Sequence, residues 1–312
     1  MQPATFFPEI AKGPNFGAAF WVTAQDGKTL RVGIWREDTR QKGTIFIFPG
    51  RTEYIELQGR IALDFVVQGY AVATVDWRGH GLSERLGRDP MTLHVDSYAD
   101  YQHDVAALVE LCRELDVPKP WFLIGNSMGG NIGLRAIMEG FPATACAFAA
   151  PMWEIKMSRV QKLIAAPVSW AANLLGRGQS YVPGHDCHNY VSTNPFEGNR
   201  LTFDPDGYAY WVNQAREKPE LQTAGSSMKW LLQSLLECSH LAKRDAPSVP
   251  CLAFCGDHDE VVEVAAIKDR MACWENGRFI TLDDAKHALL FERNGVRERI
   301  ISEITELFSR SS

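Results

Sequence analysis

The residues with the clearest chemical potential are a serine and the two glycines near it. Residues 121–130 read W-F-L-I-G-N-S-M-G-G, an apolar, strand-like run followed by G-x-S-x-G and small residues suited to the start of a helix. Gly125 and Gly129 lack the side chains that would collide in a sharp strand-to-helix turn, so the backbone can hold Ser127 in a strained, exposed position at the carboxyl edge of a sheet. The pattern alone also occurs by chance. In this context it predicts that Ser127 is a nucleophile.

A serine nucleophile needs two partners, because its hydroxyl is weakly nucleophilic at neutral pH and requires a base that is itself oriented by an acid. After a strand-to-helix serine turn, the acid and then the base follow in later loops. Asp259 follows an apolar strand and is the predicted acid, with Asp257 as the alternative. His287 follows the last predicted strand and is the predicted base. The competing interpretation of Asp259 is a cap for the helix that follows it.

The other seven histidines all precede Asp259, so none has the chain position expected of the base. His80 stands in the segment D-W-R-G-H-G at 76–81, which predicts a structured loop after a strand. We expect this loop to border the pocket and to support the site.

A tetrahedral intermediate at Ser127 would need backbone N–H donors for its oxyanion. The amide after the nucleophile belongs to Met128. A second donor is expected from Arg51, in the loop after the apolar run 44–48, where Gly50 lets the backbone turn. An ordinary glycine turn would fit this loop equally well if it stood alone. Together with the serine turn, the loop favours an oxyanion role for the Arg51 and Met128 amides.

Hydrophobic patterns predict that these residues lie on an α/β sheet. Two alternating runs, 18–24 and 29–35, flank the turn dipeptide Asp26-Gly27 and predict an antiparallel hairpin. After it, short runs that are apolar on both faces alternate with helical periodicity, which indicates an α/β domain with a mostly parallel central sheet covered by helices. The predicted core strands are 44–48, 71–76, 121–125, 143–150, 249–255 and 278–282. The predicted helices are 53–68, 97–115, 128–139, 262–275 and 295–309.

A long insertion interrupts this alternation before the last two strands. Residues 151–244 far exceed a crossover helix, so they predict a largely helical cap on a core formed by residues 1–150 and 245–312. Within the insertion, 157–175 and 226–241 have helical patterns and 176–205 is rich in loop residues. Most of its apolar side chains are expected to pack the cap onto the core. We predict that a minority, Met152 and Trp153, line an acyl pocket.

The composition limits the classes of partner. A net charge of -6 does not indicate the basic surface that binds nucleic acid. Any membrane contact would have to be transient, local and apolar, and it would be made through the cap. The longest apolar stretch, 163–175, is interrupted and too short to span a bilayer. The odd number of cysteines, 7, predicts free thiols and therefore a cytoplasmic protein. Any association with the membrane is expected to be peripheral. His185, Cys187 and His188 lack zinc-site spacing, and no metal or organic cofactor is expected.

Further motifs occur in the order typical of a known family. They are P-G-R at 49–51 with Glu53, D-W-R-G-H-G-L-S at 76–83, N-S-M-G-G at 126–130, A-P-M at 150–152, and N-R-L-T at 199–202 with Trp230. Over nearly its whole length, the chain resembles the α/β-hydrolases of the bacterial lysophospholipase and monoacylglycerol lipase-like branch.

This resemblance implies a carboxylic ester hydrolase that acts on single-chain acyl lipids, with Ser127, Asp259 and His287 in the family's triad positions. Asn126 stands where monoacylglycerol lipases usually have histidine, and Arg51 replaces a small residue of their H-G-x-G loop. These two differences weigh against monoacylglycerol as the substrate. The alternatives are a small-molecule carboxylesterase or a carbon–carbon bond hydrolase with the same triad, and a noncatalytic ligand-binding protein on the same fold.

Overall fold

Nine strands form one sheet within the residues that the structure, a computed structural model, describes, which are 2–37 and 41–311. The strands are β1 (Gln2–Pro3), β2 (Gly17–Thr23), β3 (Thr29–Trp35), β4 (Thr44–Phe48), β5 (Ala71–Asp76), β6 (Trp121–Asn126), β7 (Ala145–Ala149), β8 (Cys251–Gly256) and β9 (Gly277–Leu282). Their order across the sheet is β1-β2-β3-β5-β4-β6-β7-β8-β9. Strands β4 to β9 are mutually parallel and β1 to β3 are antiparallel, so the predicted mostly parallel sheet is confirmed.

The antiparallel hairpin predicted around Asp26-Gly27 is confirmed, and it joins β2 to β3. The register pairs Thr23 with Thr29. Gly27 has a φ of 83°, a value that glycine adopts without the steric cost of a Cβ atom. The β2–β3 pair extends the parallel sheet on one side, because β3 lies antiparallel to β5.

Helices cover both faces of the parallel strands, as the apolar character of those strands on both sides requires. They are α1 (Pro8–Ala11), α2 (Gly59–Val66), α3 (Tyr101–Glu114), α4 (Met128–Met138), α5 (Arg159–Leu174), α6 (Tyr190–Thr193), α7 (Pro205–Glu217), α8 (Met228–Ala242), α9 (Val264–Ala272) and α10 (Asn294–Arg310). Short 3-10 turns cover Ile55–Gln58, Tyr98–Asp100, Pro219–Leu221 and Leu289–Phe291. In the described parts of the chain, no helix is both long and apolar enough to cross a membrane.

The carboxyl ends of four parallel strands meet at one edge of the sheet. The register pairs Phe48 with Gly125, at the ends of β4 and β6. It also pairs Gly256 with Leu282, at the ends of β8 and β9. Strand β7 lies between β6 and β8. The loops that follow β4, β6, β8 and β9 therefore emerge side by side, and these loops carry the residues predicted to do chemistry.

The insertion between β7 and β8 contains α5 to α8, and α5 packs against α8. The helical patterns at 157–175 and 226–241 correspond to α5 and α8. Helix α7 was not among the predicted helices. Its start has clear signals, because Asp204 accepts hydrogen bonds from the Asp206 and Gly207 amides and Pro205 occupies the first helical position. The loop-rich stretch 176–205 also contains the single turn α6.

Candidate active site

Ser127 occupies a strained turn between β6 and α4, with φ 48° and ψ −114°. The turn is possible because its glycines allow close backbone contacts. A Cβ atom on Gly129 would lie 2.0 Å from the Phe48 carbonyl oxygen, and one on Gly125 would lie 2.8 Å from Gly130 Cα. The expectation that Ser127 is exposed is wrong. Its exposed fraction is 8%, because residues of the insertion line the cavity into which it faces.

The structure brings Ser127, His287 and Asp259 into one hydrogen-bonded chain. The distance from Ser127 Oγ to His287 Nε2 is 2.9 Å. The distance from His287 Nδ1 to Asp259 Oδ2 is 2.8 Å. These separations suit a relay in which a carboxylate orients an imidazole and the imidazole accepts the serine proton. The three residues follow β6, β9 and β8, respectively, at the same edge of the sheet.

Asp259 also anchors the chain before α9. Its Oδ1 accepts hydrogen bonds from the amides of Val261, at 2.7 Å, and Val262, at 3.1 Å. Burial acts to raise the pKa of Asp259, but the His287 imidazole and these amides outweigh it and hold the pKa below its ordinary value. These amides belong to the loop before α9, whose N-cap residue is Glu263, so Asp259 holds this loop and does not cap the helix. The alternative acid, Asp257, instead accepts a hydrogen bond from the Ala285 amide.

The amides of Arg51 and Met128 flank the serine turn. Within the residues that the structure describes, neither amide donates a hydrogen bond, although the amides of Ser127 and Gly130 in the same turn both do. An amide without a protein acceptor beside a nucleophile is available to an oxyanion. The assignment of these two donors therefore remains a prediction that the local hydrogen bonding permits.

Glu53 joins the loop after β4 to the serine turn, a role that sequence reasoning missed. Its Oε2 accepts hydrogen bonds from the Gly50 amide at 2.7 Å and from Gln58 Nε2 at 3.1 Å. Its Oε1 accepts one from Asn126 Nδ2 at 2.6 Å. Burial raises the pKa of Glu53 to about 7 in spite of these donors. The available signal was a carboxylate three residues after Gly50, the spacing at which a side chain can bind the amide of a turn.

A cavity of about 550 Å³ opens above Ser127 and His287, and its lining is mostly apolar. Met152 lines it, as predicted. Trp153 does not, so the expectation that it lines the pocket is corrected. The Trp153 indole donates to the Gly130 carbonyl oxygen at 3.1 Å and its ring packs 5.2 Å from that of Phe148. These contacts fix the side chain in the core, beneath α4.

The loop that contains His80 supports the site differently from our expectation. His80 is buried and is not among the cavity-lining residues; its Nδ1 lies 3.1 Å from the Arg78 carbonyl oxygen. Burial lowers the pKa of His80 to about 3, so the ring is neutral. Asp76, which precedes the loop, accepts a hydrogen bond from the Ile55 amide at 2.8 Å. Asp76 thus holds the segment that follows Glu53, and the loop itself does not border the pocket.

Residues 39–294 match the family Hydrolase_4, described as serine aminopeptidase, S33. The chain belongs to this hydrolase family. It is 27% identical over 280 residues to lysophospholipase L2 of Escherichia coli strain K12, covering 85% of this chain and 80% of the relative. It is 26% identical over 291 residues to a monoglyceride lipase homolog of Monkeypox virus, covering 91% of this chain and 96% of the relative. The resemblance inferred from the motifs is confirmed.

Solved structures agree with the fold. A soluble variant of monoglyceride lipase from Saccharomyces cerevisiae, in complex with a substrate analog, superposes with a TM-score of 0.71 at 18% identity, covering 93% of this chain and 94% of the other. A carboxyl esterase from Bacillus coagulans superposes with a TM-score of 0.74 at 17% identity, covering 95% and 100%. The predicted α/β-hydrolase fold is therefore confirmed. Among the described residues, no cluster of His, Cys, Asp or Glu side chains is arranged to hold a metal ion.

Proposed function

We propose that this hydrolase cleaves carboxylic esters of single-chain acyl lipids through a Ser127–His287–Asp259 triad and an acyl-enzyme. The observation that carries the proposal is the chain of two hydrogen bonds, of 2.9 and 2.8 Å, that links the three side chains. We further propose that residues 151–244 form a cap on a core of residues 1–150 and 245–312. The cap supplies most of the apolar lining of the cavity.

In the proposed mechanism, His287 Nε2 removes the Ser127 proton as Oγ attacks the ester carbonyl. Asp259 holds the imidazole with Nδ1 protonated and stabilises the imidazolium that forms. The Arg51 and Met128 amides stabilise the oxyanion, each contributing about 3 kcal/mol. His287 then protonates the departing alcohol, and a water molecule activated by the same imidazole releases the fatty acid.

The lipid substrate is supported by the cavity and by the names of the relatives, lysophospholipase L2 and monoglyceride lipase homolog. An apolar cavity of about 550 Å³ is large enough for an alkyl chain beside a small headgroup. We propose that the substrate reaches this cavity from the surface along α5. Ile164 and Val168 of this helix line the cavity and are also partly exposed.

We also propose that the cap makes a transient membrane contact through α5. Leu163 and Trp170 of this helix are 76% and 58% exposed, with Leu174 and Leu175 farther along the same segment. Exposed apolar side chains on one helix face are suited to the interface of a bilayer. A substrate could then pass from the bilayer along α5 into the cavity.

The proposed chemistry is tested with Ser127→Ala and two readouts. Turnover of p-nitrophenyl esters should fall on the order of a millionfold. Labelling by a fluorophosphonate should disappear, while the thermal unfolding transition is retained. Turnover by the variant equal to that of the wild type would exclude Ser127 as the nucleophile. If the wild-type protein is labelled but does not hydrolyse lipid esters, the result would favour a small-molecule ester as the substrate.

The acyl-lipid assignment is tested separately with esters of increasing chain length. Each methylene buried in the cavity should improve kcat/KM through about 0.8 kcal/mol of transfer free energy until the cavity is filled. A profile that is flat, or that falls beyond short acyl groups, would favour a small-molecule carboxylesterase.

A further inference from the structure

Arg51 places a positive charge in the active-site cavity without a carboxylate to neutralise it. The side chain lines the cavity together with Ser127 and His287. Its Nη1 donates to Ser226 Oγ at 3.2 Å, and it forms no ion pair with any residue in the described ranges. Burial, with no contribution from a carboxylate, lowers the pKa of Arg51. A guanidinium remains protonated even so, because its ordinary pKa is far above neutrality.

Two other arginines of the described residues have more partners for their guanidinium groups than Arg51 has, the buried Arg31 and the half-buried Arg85. Arg31 pairs with Glu56 at 2.7 Å and with Asp76 at 2.8 Å. Arg85 donates to backbone carbonyl oxygens, among them that of Glu220. Since a guanidinium carries five N–H donors, the single hydroxyl partner of Arg51 leaves most of its donors for a ligand. Glu53 is close in sequence, but its oxygens already accept the three hydrogen bonds described above.

Ser226 connects Arg51 to a second donor, His185. The Ser226 hydroxyl accepts the Arg51 hydrogen bond, so its own proton remains free to donate. The Ser226 amide donates to His185 Nδ1 at 3.2 Å, which leaves the proton of the neutral ring on Nε2. Both side chains line the same cavity as Arg51. The Ser226 carbonyl oxygen accepts from the Val182 amide at 2.9 Å, and this bond holds the serine in place.

The position of this cluster relative to Ser127 indicates its ligand. The Arg51 amide is a proposed oxyanion donor, so its guanidinium lies one side-chain length from the ester to be cleaved. In a single-chain glycerophospholipid, the glycerol backbone separates the acyl ester from the phosphate by a comparable span. Guanidinium groups bind phosphate oxygens in bidentate fashion, and hydroxyl and imidazole N–H groups complete such sites.

We infer that Arg51, Ser226 and His185 form a phosphate subsite that receives the headgroup phosphodiester of a single-chain glycerophospholipid. The inference rests on the proposed function, and it narrows the substrate from acyl esters in general to those that carry a phosphate. A neutral monoacylglycerol would leave the Arg51 guanidinium desolvated and unpaired, at a cost in affinity.

Binding of ligands that contain no ester tests the subsite without turnover. Hexylphosphocholine and 1-O-hexylglycerol have the same alkyl chain and differ in the phosphate-bearing headgroup. Isothermal titration calorimetry of the wild-type protein should give tighter binding of hexylphosphocholine. Arg51→Met keeps the length of the side chain and should reduce this preference about tenfold or more, the effect of losing one charge-assisted contact. Arg51→Lys, which keeps the charge, should retain part of it.

Two further variants define the site. Ser226→Ala and His185→Gln should each reduce the preference for hexylphosphocholine by less than Arg51→Met does. The matched control is Arg200→Met, because Arg200 also lines the cavity but is exposed and lies 3.5 Å from Glu260. This change should leave the preference within about twofold of the wild-type value. An equal effect of Arg51→Met and Arg200→Met would overturn the subsite.

The remaining outcomes separate this inference from the proposed function. Binding of inorganic phosphate that depends on Arg51, without any preference for hexylphosphocholine over 1-O-hexylglycerol, would overturn the lipid-headgroup assignment. Unchanged preference in Arg51→Met would overturn the subsite even if Ser127-dependent ester hydrolysis is found. A preference that depends on Arg51, in a protein without Ser127-dependent hydrolysis, would support the subsite and contradict the proposed function.

Discussion

Replacement of Glu53 by glutamine should change the pH dependence of stability in a way that follows from burial of the carboxyl group. The pKa of Glu53 rises from its ordinary value of 4.5 to about 7 in the folded protein. Below pH 4.5 the group is protonated in both the folded and unfolded states. Between pH 4.5 and 7 the unfolded state releases the proton first, so the free energy of unfolding falls as the pH rises. Above pH 7 the loss is complete, at about 3 kcal/mol.

Glutamine does not titrate, so Glu53→Gln lacks this loss. Its amide can also be accommodated, because Asn126 Oδ1 is buried without a hydrogen-bond partner among the described side chains. If the Asn126 amide rotates, its Oδ1 can accept from the Gln Nε2 while the Gln Oε1 keeps the Gly50 amide. We therefore expect the stability of the variant relative to the wild type to increase by about 3 kcal/mol between pH 4.5 and 8.

Urea unfolding at closely spaced pH values between 5 and 8 measures this difference, with Glu110→Gln as a control at an exposed carboxylate. The control should show no comparable trend. A difference between Glu53→Gln and the wild type that stays constant over this range would refute the reasoning, since it would mean that the three donors to Glu53 compensate fully for its burial. Glu53→Ala should lose about 10- to 100-fold more turnover than Glu53→Gln, because Gly50 then loses its anchor beside the Arg51 amide.

Three further predictions concern the triad, the core and the cap. Asp259→Asn should lower kcat about 10⁴-fold with little change in stability, since Oδ1 stays with the Val261 amide and the Asn NH2 then forces the wrong His287 tautomer; unaltered kcat would exclude the role. Trp153→Phe should lower the unfolding free energy by about 1 kcal/mol, because it loses the hydrogen bond to Gly130, without altering the acyl-length profile. An altered profile would mean that Trp153 does contact the acyl chain. Leu163→Asp should weaken binding to phosphatidylcholine vesicles about tenfold or more in sedimentation assays, whereas Val67→Asp, at a site 70% exposed just after α2, should not; equal effects would exclude α5 as the contact.

The parts of the fold that depend on local sequence were predictable. The parallel strands are apolar on both faces, and the turn at Ser127 needs glycines at fixed positions, so both leave patterns in short segments. The three triad candidates could be assigned from chain order because parallel strands deliver their loops to one edge of the sheet. Helix α7 was predictable in principle from Asp204 and Pro205, but its position within a loop-rich insertion concealed these signals.

The features that were missed depend on contacts between distant segments. Ala150 has a φ of 44°, so the chain changes direction after β7, and the sequence does not reveal which of Met152 and Trp153 then faces the cavity. The burial of Ser127 depends on how residues of the insertion 151–244 line the cavity above it. The hydrogen bond from Asn126 to Glu53 joins residues that are 73 positions apart, so it is visible only in the folded chain.

The order of strands explains how the proposed cap can reach the candidate site without contributing any of the three triad candidates. Strand β7 lies between β6, which precedes Ser127, and β8, which precedes Asp259, and the insertion of residues 151–244 begins just after β7. The proposed cap therefore enters between the proposed nucleophile and the proposed acid, although neither residue belongs to it. Strand β4 borders β6 on the opposite side and brings Arg51 to the serine. Two segments of the insertion contribute different groups to the cavity. Ser226 contributes a hydroxyl that contacts the Arg51 guanidinium, and Ile164 and Val168 of α5 contribute apolar lining. A headgroup bound at Ser226 and an acyl chain bound along α5 would then place the ester between them, beside Ser127. We therefore expect changes in the proposed cap to alter which ester is accepted without moving the triad candidates.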